Sequence, residues 1–308
     1  MKGTVVNTKS NDPPQPEEKV PGLGITILRE IIASKAALVA VFIYVGFVIL
    51  AFILSAQLDL AEMSRIHLRY INRPPEWFGG QFFLGADHMG RDMVAQLMLG
   101  ARTSFGVAFS VTAIGLIVGT LFGLISGFYG GHTDNIMMRI LDFVMMLPTL
   151  PIIIIVVSLI PHYQVWHFVL VVSAFAWMGT ARLIRAAVLR QSALDYVAAS
   201  KTLGTRNVTI IFKKVFPNIT SILVTNSIIS LGANMGLETG LTIVGFGLPF
   251  GTPSLGGQIA SAMDPRILTG LQWQWMPAAI LIFIMVLCTY IVGTAISRAV
   301  DPKQQRQI

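Results

Sequence analysis

Residues 36–56 read AALVAVFIYVGFVILAFILSA, 21 positions without a charge. At 1.5 Å per residue a helix of that length measures about 31 Å, enough to cross the hydrocarbon core of a bilayer. It is too long for the apolar centre of a cleavable leader. Outward from it, further apolar stretches occupy 104–128, 143–160, 165–181, 219–245 and 276–297, the 219–245 stretch being the most polar of them. Composition agrees: 54% of residues are hydrophobic, only 12% are charged, and the mean hydropathy is +0.70. A soluble domain carries roughly twice that charge.

Six spans place both termini on one side. With the ends in the cytoplasm, 16 Lys and Arg lie inside (five before the first span, Arg139, seven in 182–214 and three at the end) and six lie outside. The reverse orientation would invert this bias. The net charge of +7 therefore reads as a topology signal. The cations sit at the ends of apolar runs without interleaved aromatics, so no nucleic-acid surface is predicted. The predicted fold is all-α, with six transmembrane helices and cytoplasmic ends. Residues 1–35 form a tail with Pro13, Pro14, Pro16 and Pro21, turning helical at the interface near Ile25. A 57–102 extracytoplasmic loop with turn-prone Asn72-Arg73-Pro74-Pro75 and Gly79-Gly80 separates the first span (36–56) from a five-helix core (103–298), and 299–308 form a cytoplasmic tail. A second outer segment, 246–275, opens FGLPFGTP and is expected to fold over the outer mouth.

Catalytic signatures are absent from the sequence. His67, His88, His132, His162 and His167 have no metal-site spacing and are expected at surfaces or interfaces. Cys288 has no partner cysteine and reads as a small buried hydrophobe. There is neither a Gly-x-Ser-x-Gly elbow nor a phosphate-binding Gly-x-x-x-x-Gly-Lys loop, so any ATP-driven role needs a separate subunit. Pro148 and Pro151, near the inner end of the third span, read as a helix start or kink.

Three patterns remain. Gly115, Gly119, Gly123 and Gly127 recur every fourth residue and form a groove for close helix packing, either within this chain or against a partner. Asn226, Ser230, Asn234, Glu238 and Thr242 form a polar row in the fifth span, which must face protein or water. Glu238 suits either a pathway lining or an interhelical hydrogen bond. Between the fourth and fifth spans the chain reads Asp195-Tyr196-Val197-Ala198-Ala199-Ser200-Lys201-Thr202-Leu203-Gly204, then continues to Pro217. Small residues at 198–200 allow close docking, Gly204 supplies a left-handed stop, and Pro217 suits the first turn of a helix. A surface helix held on anionic lipid through Arg206, Lys213 and Lys214 and a helix docked on a protein explain it equally well.

This segment resembles the EAA loop of ABC importer permeases: Glu-Ala-Ala, three residues, Gly, and a Pro thirteen residues later. Gly204 and Pro217 keep the spacing, while Ala198 stands where the family often has Glu and Ser200 where it has the second Ala. Leu84–Asp92 (LGADHMGRD), Gly100-Ala101-Arg102, Gly127–Asp134, Gly245–Pro249 with Pro253–Gly256, and Asp301-Pro302 are similar to segments of dipeptide, oligopeptide and nickel permeases. The resemblance spans about residues 30–302. It implies a type I importer permease in a prokaryotic plasma or inner membrane, the second of two non-identical permeases. The implied partners are two ATP-binding subunits, which hold the ATP and Mg, and an extracytoplasmic binding protein, with this chain holding no cofactor and catalysing nothing. In that picture residues 190–218 are the coupling loop. Tyr196, Val197, Ala198, Ala199, Ser200, Lys201, Thr202, Leu203 and Gly204 fill a groove in the ATPase, and Lys201, Arg206, Lys213 and Lys214 meet carboxylates at its rim. The row ending at Glu238 and Thr242 becomes a candidate translocation path for a di- or oligopeptide. The alternatives are a nickel chelate or other small solute as cargo, or an ion-coupled carrier working without an ATPase.

Overall fold

The computed structural model describes residues 23–57, 66–76 and 82–300. Among these there is no strand, only an isolated bridge between Ala86 and Asp92. In chain order the helices are α1 (Leu23–Ala33), α2 (Lys35–Gln57), α3 (Met93–Tyr129), α4 (Gly131–Met146), α5 (Thr149–Leu159) and α6 (Val165–Ser192). They continue as α7 (Asp195–Thr202), α8 (Asn207–Ile210), α9 (Phe216–Ile243), α10 (Leu255–Ala260), α11 (Pro265–Gly270) and α12 (Met276–Val300). The proline-bearing tail up to Pro21, Gly79-Gly80 and Asp301-Pro302 lie outside the described residues. Five helical runs are long and apolar enough to cross a membrane, and α4 with α5, bent by 77°, makes the sixth when counted as one span.

The expected spans lie within these helices, but several boundaries move. α3 starts at Met93, well before residue 104, because Asp92 caps it by accepting the Val94 N–H at 2.7 Å. The first turns then bury Met93, Ala95, Leu97, Met98 and Ala101, the last three in a cluster with Ala51, Met235, Leu255 and Met285. α6 runs beyond residue 181 to Ser192, carrying Arg182, Arg185 and Arg190 out of the apolar region. The third span breaks where its prolines suggest: residues 143–160 hold the end of α4 and all of α5, with Pro148 immediately before the start of α5. Leu147 is extended (ψ 138°), the conformation a following proline imposes, and Pro148 brings no N–H to continue α4.

The centre of the bundle is α3 against α6. A Cβ on Gly119 would come within 2.6 Å of the Trp177 carbonyl oxygen, and one on Gly123 within 2.8 Å of the Ala181 oxygen. Gly115 and Gly127 meet Ala176 and Val188 in the same way. The four-residue glycine repeat is thus used within this chain, where missing side chains let two backbones touch. Phe105 of α3 also carries α2, through Tyr44 and Phe47, while α9 packs on α12 with Gly232 beside Thr289. Two ion pairs clamp α4 to α6: Arg185 holds Asp134 through two 2.5 Å hydrogen bonds, and Arg182 reaches Asp142 at 2.6 Å.

Outside, residues 84–92 close into a tight loop. Asp87 accepts the N–H groups of Met89 and Arg91, each at 2.8 Å, and pairs with the Arg91 guanidinium at 2.7 Å. Gly85 and Gly90 take positive φ there, next to Arg73 and His67 backbone that a side chain would strike. Gln274 ties this loop to the later outer segment through Asn72 at 2.8 Å and the Ala86 carbonyl at 3.2 Å. Residues 246–275, expected as a folded turn, contain α10 and α11.

Candidate functional site

The inner loop is a short helix braced on two long ones. α7 ends in a Schellman motif: the Gly204 N–H reaches the Lys201 carbonyl at 3.0 Å and the Thr205 N–H reaches Ser200 at 3.1 Å, with Gly204 at φ 74°. Val197 is fully buried and anchors α7 in a cluster with Phe128, Ile184, Val188, Ile210, Val215 and Ile219. Tyr196 packs beside it, and its hydroxyl donates to Gln191 at 2.9 Å. Ser200 is buried with Val197, whereas Ala198, Ala199, Lys201, Thr202, Leu203, Gly204 and Arg206 are exposed. α7 therefore has one anchored side and one free side of small and apolar residues, with Leu203 83% exposed at its end.

The cations divide. Lys201 lies over the Phe128 ring at 4.8 Å, and Lys214 donates to Ser200 Oγ at 2.6 Å. Both make these contacts within the chain while remaining exposed, as Arg206 and Lys213 are. Lys213 and Lys214 sit in a π turn, Ile211–Val215, that joins α8 to α9, and Pro217 falls in the first turn of α9 as its spacing suggests. Residues 207–243 make one continuous helical run of 37 residues.

The polar row splits in two. Asn226 donates to Thr180 Oγ1 at 3.0 Å and Asn234 donates to Thr112 Oγ1 at 2.9 Å. With Ser230 they line a narrow slot of about 10 Å³ between α3, α6 and α9, room for about one water. Glu238 and Thr242 belong elsewhere. Glu238 is 1% exposed; Thr242 donates to its Oε1 at 3.1 Å, Ser104 and Thr239 stand beside it, and Oε2 has no hydrogen-bond partner among the described residues. Gly256 of α10 presses against this pair, where a Cβ would lie 3.0 Å from Thr242 Cβ. The division follows from helical geometry: a step of four residues overshoots a full turn by about 40°, so sixteen residues wind the row about 160° around α9.

Thr242 also borders a cavity of about 500 Å³ at the outer face, with Arg91, Gln96, Gln258, Gln274 and the fully exposed Phe250 on its walls and rim. Spacing did not single out this cavity, because its walls come from three segments far apart in the chain. Thr112, Thr180, Gln191 and Asn218 were missed too. Only their polarity beside apolar runs marks them.

A helical bundle of five to six membrane spans, with a braced inner loop and polar residues inside, defines a multi-pass membrane permease. The chain belongs to the family of binding-protein-dependent transport system inner membrane components, whose profile matches residues 119–306. It has the type I importer permease fold of that family and is a non-catalytic membrane component that works with ATPase and substrate-binding partners. It is 39% identical over 279 residues to the oligopeptide transport system permease protein OppC of Lactococcus lactis subsp. cremoris, covering 91% of this chain and 94% of that one. It is 29% identical over 283 residues to the dipeptide transport system permease protein DppC of Bacillus subtilis (90% and 85%). A third relative, the oligopeptide transport system permease protein AmiD of Streptococcus pneumoniae, is 29% identical over 287 residues (91% and 90%).

Proposed function

We propose that this chain is the second permease of a peptide importer, passing di- or oligopeptides through a bundle shared with a non-identical permease. Likeness to the Lactococcus oligopeptide permease at 39% identity across nearly both whole chains carries the choice of cargo. Two ATP-binding subunits sit beneath residues 190–218, and an external binding protein delivers peptide to the 57–102 side. The free face of α7, Ala198, Ala199, Thr202 and Leu203, enters the ATPase groove, with Arg206 and Lys213 at its margin. Tyr196, Val197 and Ser200 hold that face in place from behind. ATP and Mg belong to those partners. Asn226, Ser230 and Asn234, with Glu238 and Thr242 nearer the outside, mark the passage. The support is that they gather polar groups inside a span, where lipid would leave them unsatisfied. α1 lies at the interface as part of the 1–35 tail, and 103–298 form the core.

The test is uptake by liposomes holding the whole transporter and its binding protein. ATP-driven accumulation of a pool of tritiated alanine oligopeptides is expected. Accumulation of a nickel chelate without peptide would replace the cargo, and solute accumulation by this chain with no ATPase present would overturn the mechanism. Ala199→Arg, on the free face of α7, is expected to abolish co-purification of the ATPases.

A further inference from the structure

The inner loop contains a polar connection that neither the family membership nor the cargo assigns. Lys214 lies in the π turn just before α9, and its ammonium donates to Ser200 Oγ at 2.6 Å. Ser200 is 1% exposed and passes the contact on, donating in turn to the Tyr196 carbonyl at 2.5 Å. Asn218, in the first turn of α9, donates to the Lys214 carbonyl at 2.8 Å and to the Tyr196 hydroxyl at 3.4 Å. Tyr196 reaches back to Gln191 in α6. The chain α6, α7, α9 is thus closed by hydrogen bonds around the apolar anchor Val197.

Lys214 is exposed, and two details mark out its contact with the buried Ser200 hydroxyl. No carboxylate pairs with it among the described residues, and its ammonium bonds the buried Ser200 hydroxyl instead. The π turn also inserts one residue relative to an α-helix, with the Phe216 N–H bonding to the Ile211 carbonyl, which rotates Lys213 and Lys214 by about 100° against α9. Both lysines are exposed, and of the two it is Lys214 whose ammonium reaches Ser200.

We propose that Lys214 is a positioning residue: its bond to Ser200 locks α7 to the start of α9, so that displacement of the loop by a partner moves the 207–243 run as one body. This rests on reading α7 as the element that docks on the ATPases. Apolar anchoring by Val197 alone allows α7 to rock about its axis. The polar strut, placed a turn away from Val197, opposes that rotation.

The whole transporter, reconstituted with its binding protein, tests this through the amount of tritiated alanine oligopeptide taken up per ATP hydrolysed. Lys214→Met and Ser200→Ala are each expected to lower that ratio by about five-fold. The double variant falls no further, because both changes remove the same bond. Lys214→Arg, which keeps a cationic donor of similar reach, restores most of the ratio. A merely structural role would lower the yield of assembled transporter and leave the ratio alone. Unchanged ratios in both single variants overturn the assignment, as does a double variant whose losses multiply. Ala199→Arg separates the two layers of the argument. If it releases the ATPases while Lys214→Met keeps a normal ratio, the strut fails and the docking helix stands. If the ATPases stay bound to Ala199→Arg, the docking helix fails and the strut with it.

Discussion

Asp92 shows how a single side chain decides where a span begins. It caps α3 at 2.7 Å from the Val94 N–H, yet burial holds its carboxyl above the ordinary range, against the lowering effect of the Val94 and Ala95 N–H groups. Asp92→Ala removes the cap and is expected to cost about 1 kcal/mol. Asp92→Asn keeps a capping oxygen without the charge and is expected to be neutral or stabilising. Because the folded state binds this proton more tightly than the unfolded chain, wild type should gain on Asp92→Asn as pH falls through the raised pKa. Thermal unfolding in detergent at several pH values reads both effects, and a relative loss on acidification would contradict the burial argument. Glu238 poses a different question at the same scale. Its Oε2 is buried without a hydrogen-bond partner among the described residues, a costly arrangement for a carboxylate. If it belongs to the passage, Glu238→Gln lowers peptide uptake several-fold with assembly intact. Uptake equal to wild type across pH removes Glu238 from the path.

Between elements, the α3–α6 contact and the α4 clamp make separable demands. Gly119→Ala drives a methyl to within 2.6 Å of the Trp177 carbonyl, whereas Gly106, on the same helix, has nothing within 4 Å of the corresponding position. Gly119→Ala should therefore cost about 2 kcal/mol or more. Gly106→Ala should be neutral or gain up to about 1 kcal/mol from helix propensity. Similar melting temperatures for the two would refute the close packing. In the clamp, Asp134 is only 10% exposed on its side chain, while Asp142 and Arg182 are each about half exposed. Arg185→Gln strands a nearly buried carboxylate and should cost about 3 kcal/mol, and Arg182→Gln less than about 1 kcal/mol. Much of this was legible in the sequence, because period, charge and small residues are local signals: the apolar centres of the spans, the glycine groove, the Gly204 stop and the Pro217 turn stand where they were read, while span ends such as Met93 and Ser192 lie about ten residues beyond. The bend at Leu147-Pro148 was visible as a proline but not as an angle of 77°, since the angle depends on what α4 and α5 pack against. The polar row was legible as a row but not as two groups, because spacing of four drifts around the helix by about 40° a step.

For the molecule as a whole, the outer cavity and the hydrogen-bonded inner loop were illegible, since each joins segments that only the fold brings together. Ser200 was visible as a departure from a family pattern, but its partner fourteen residues on required the π turn. The 37-residue run 207–243 carries a further consequence. At 1.5 Å per residue it is about 55 Å long, well beyond the roughly 30 Å of hydrocarbon it crosses. An arm of that length converts small angles into useful travel: pivoting it by about 5° at mid-membrane sweeps each tip through about 2 Å. That stroke matches the 1–2 Å helix shifts with which interfaces in proteins switch state. A pivot of that size in one rigid run is enough to carry a displacement of about 2 Å from one face of the bilayer to the other.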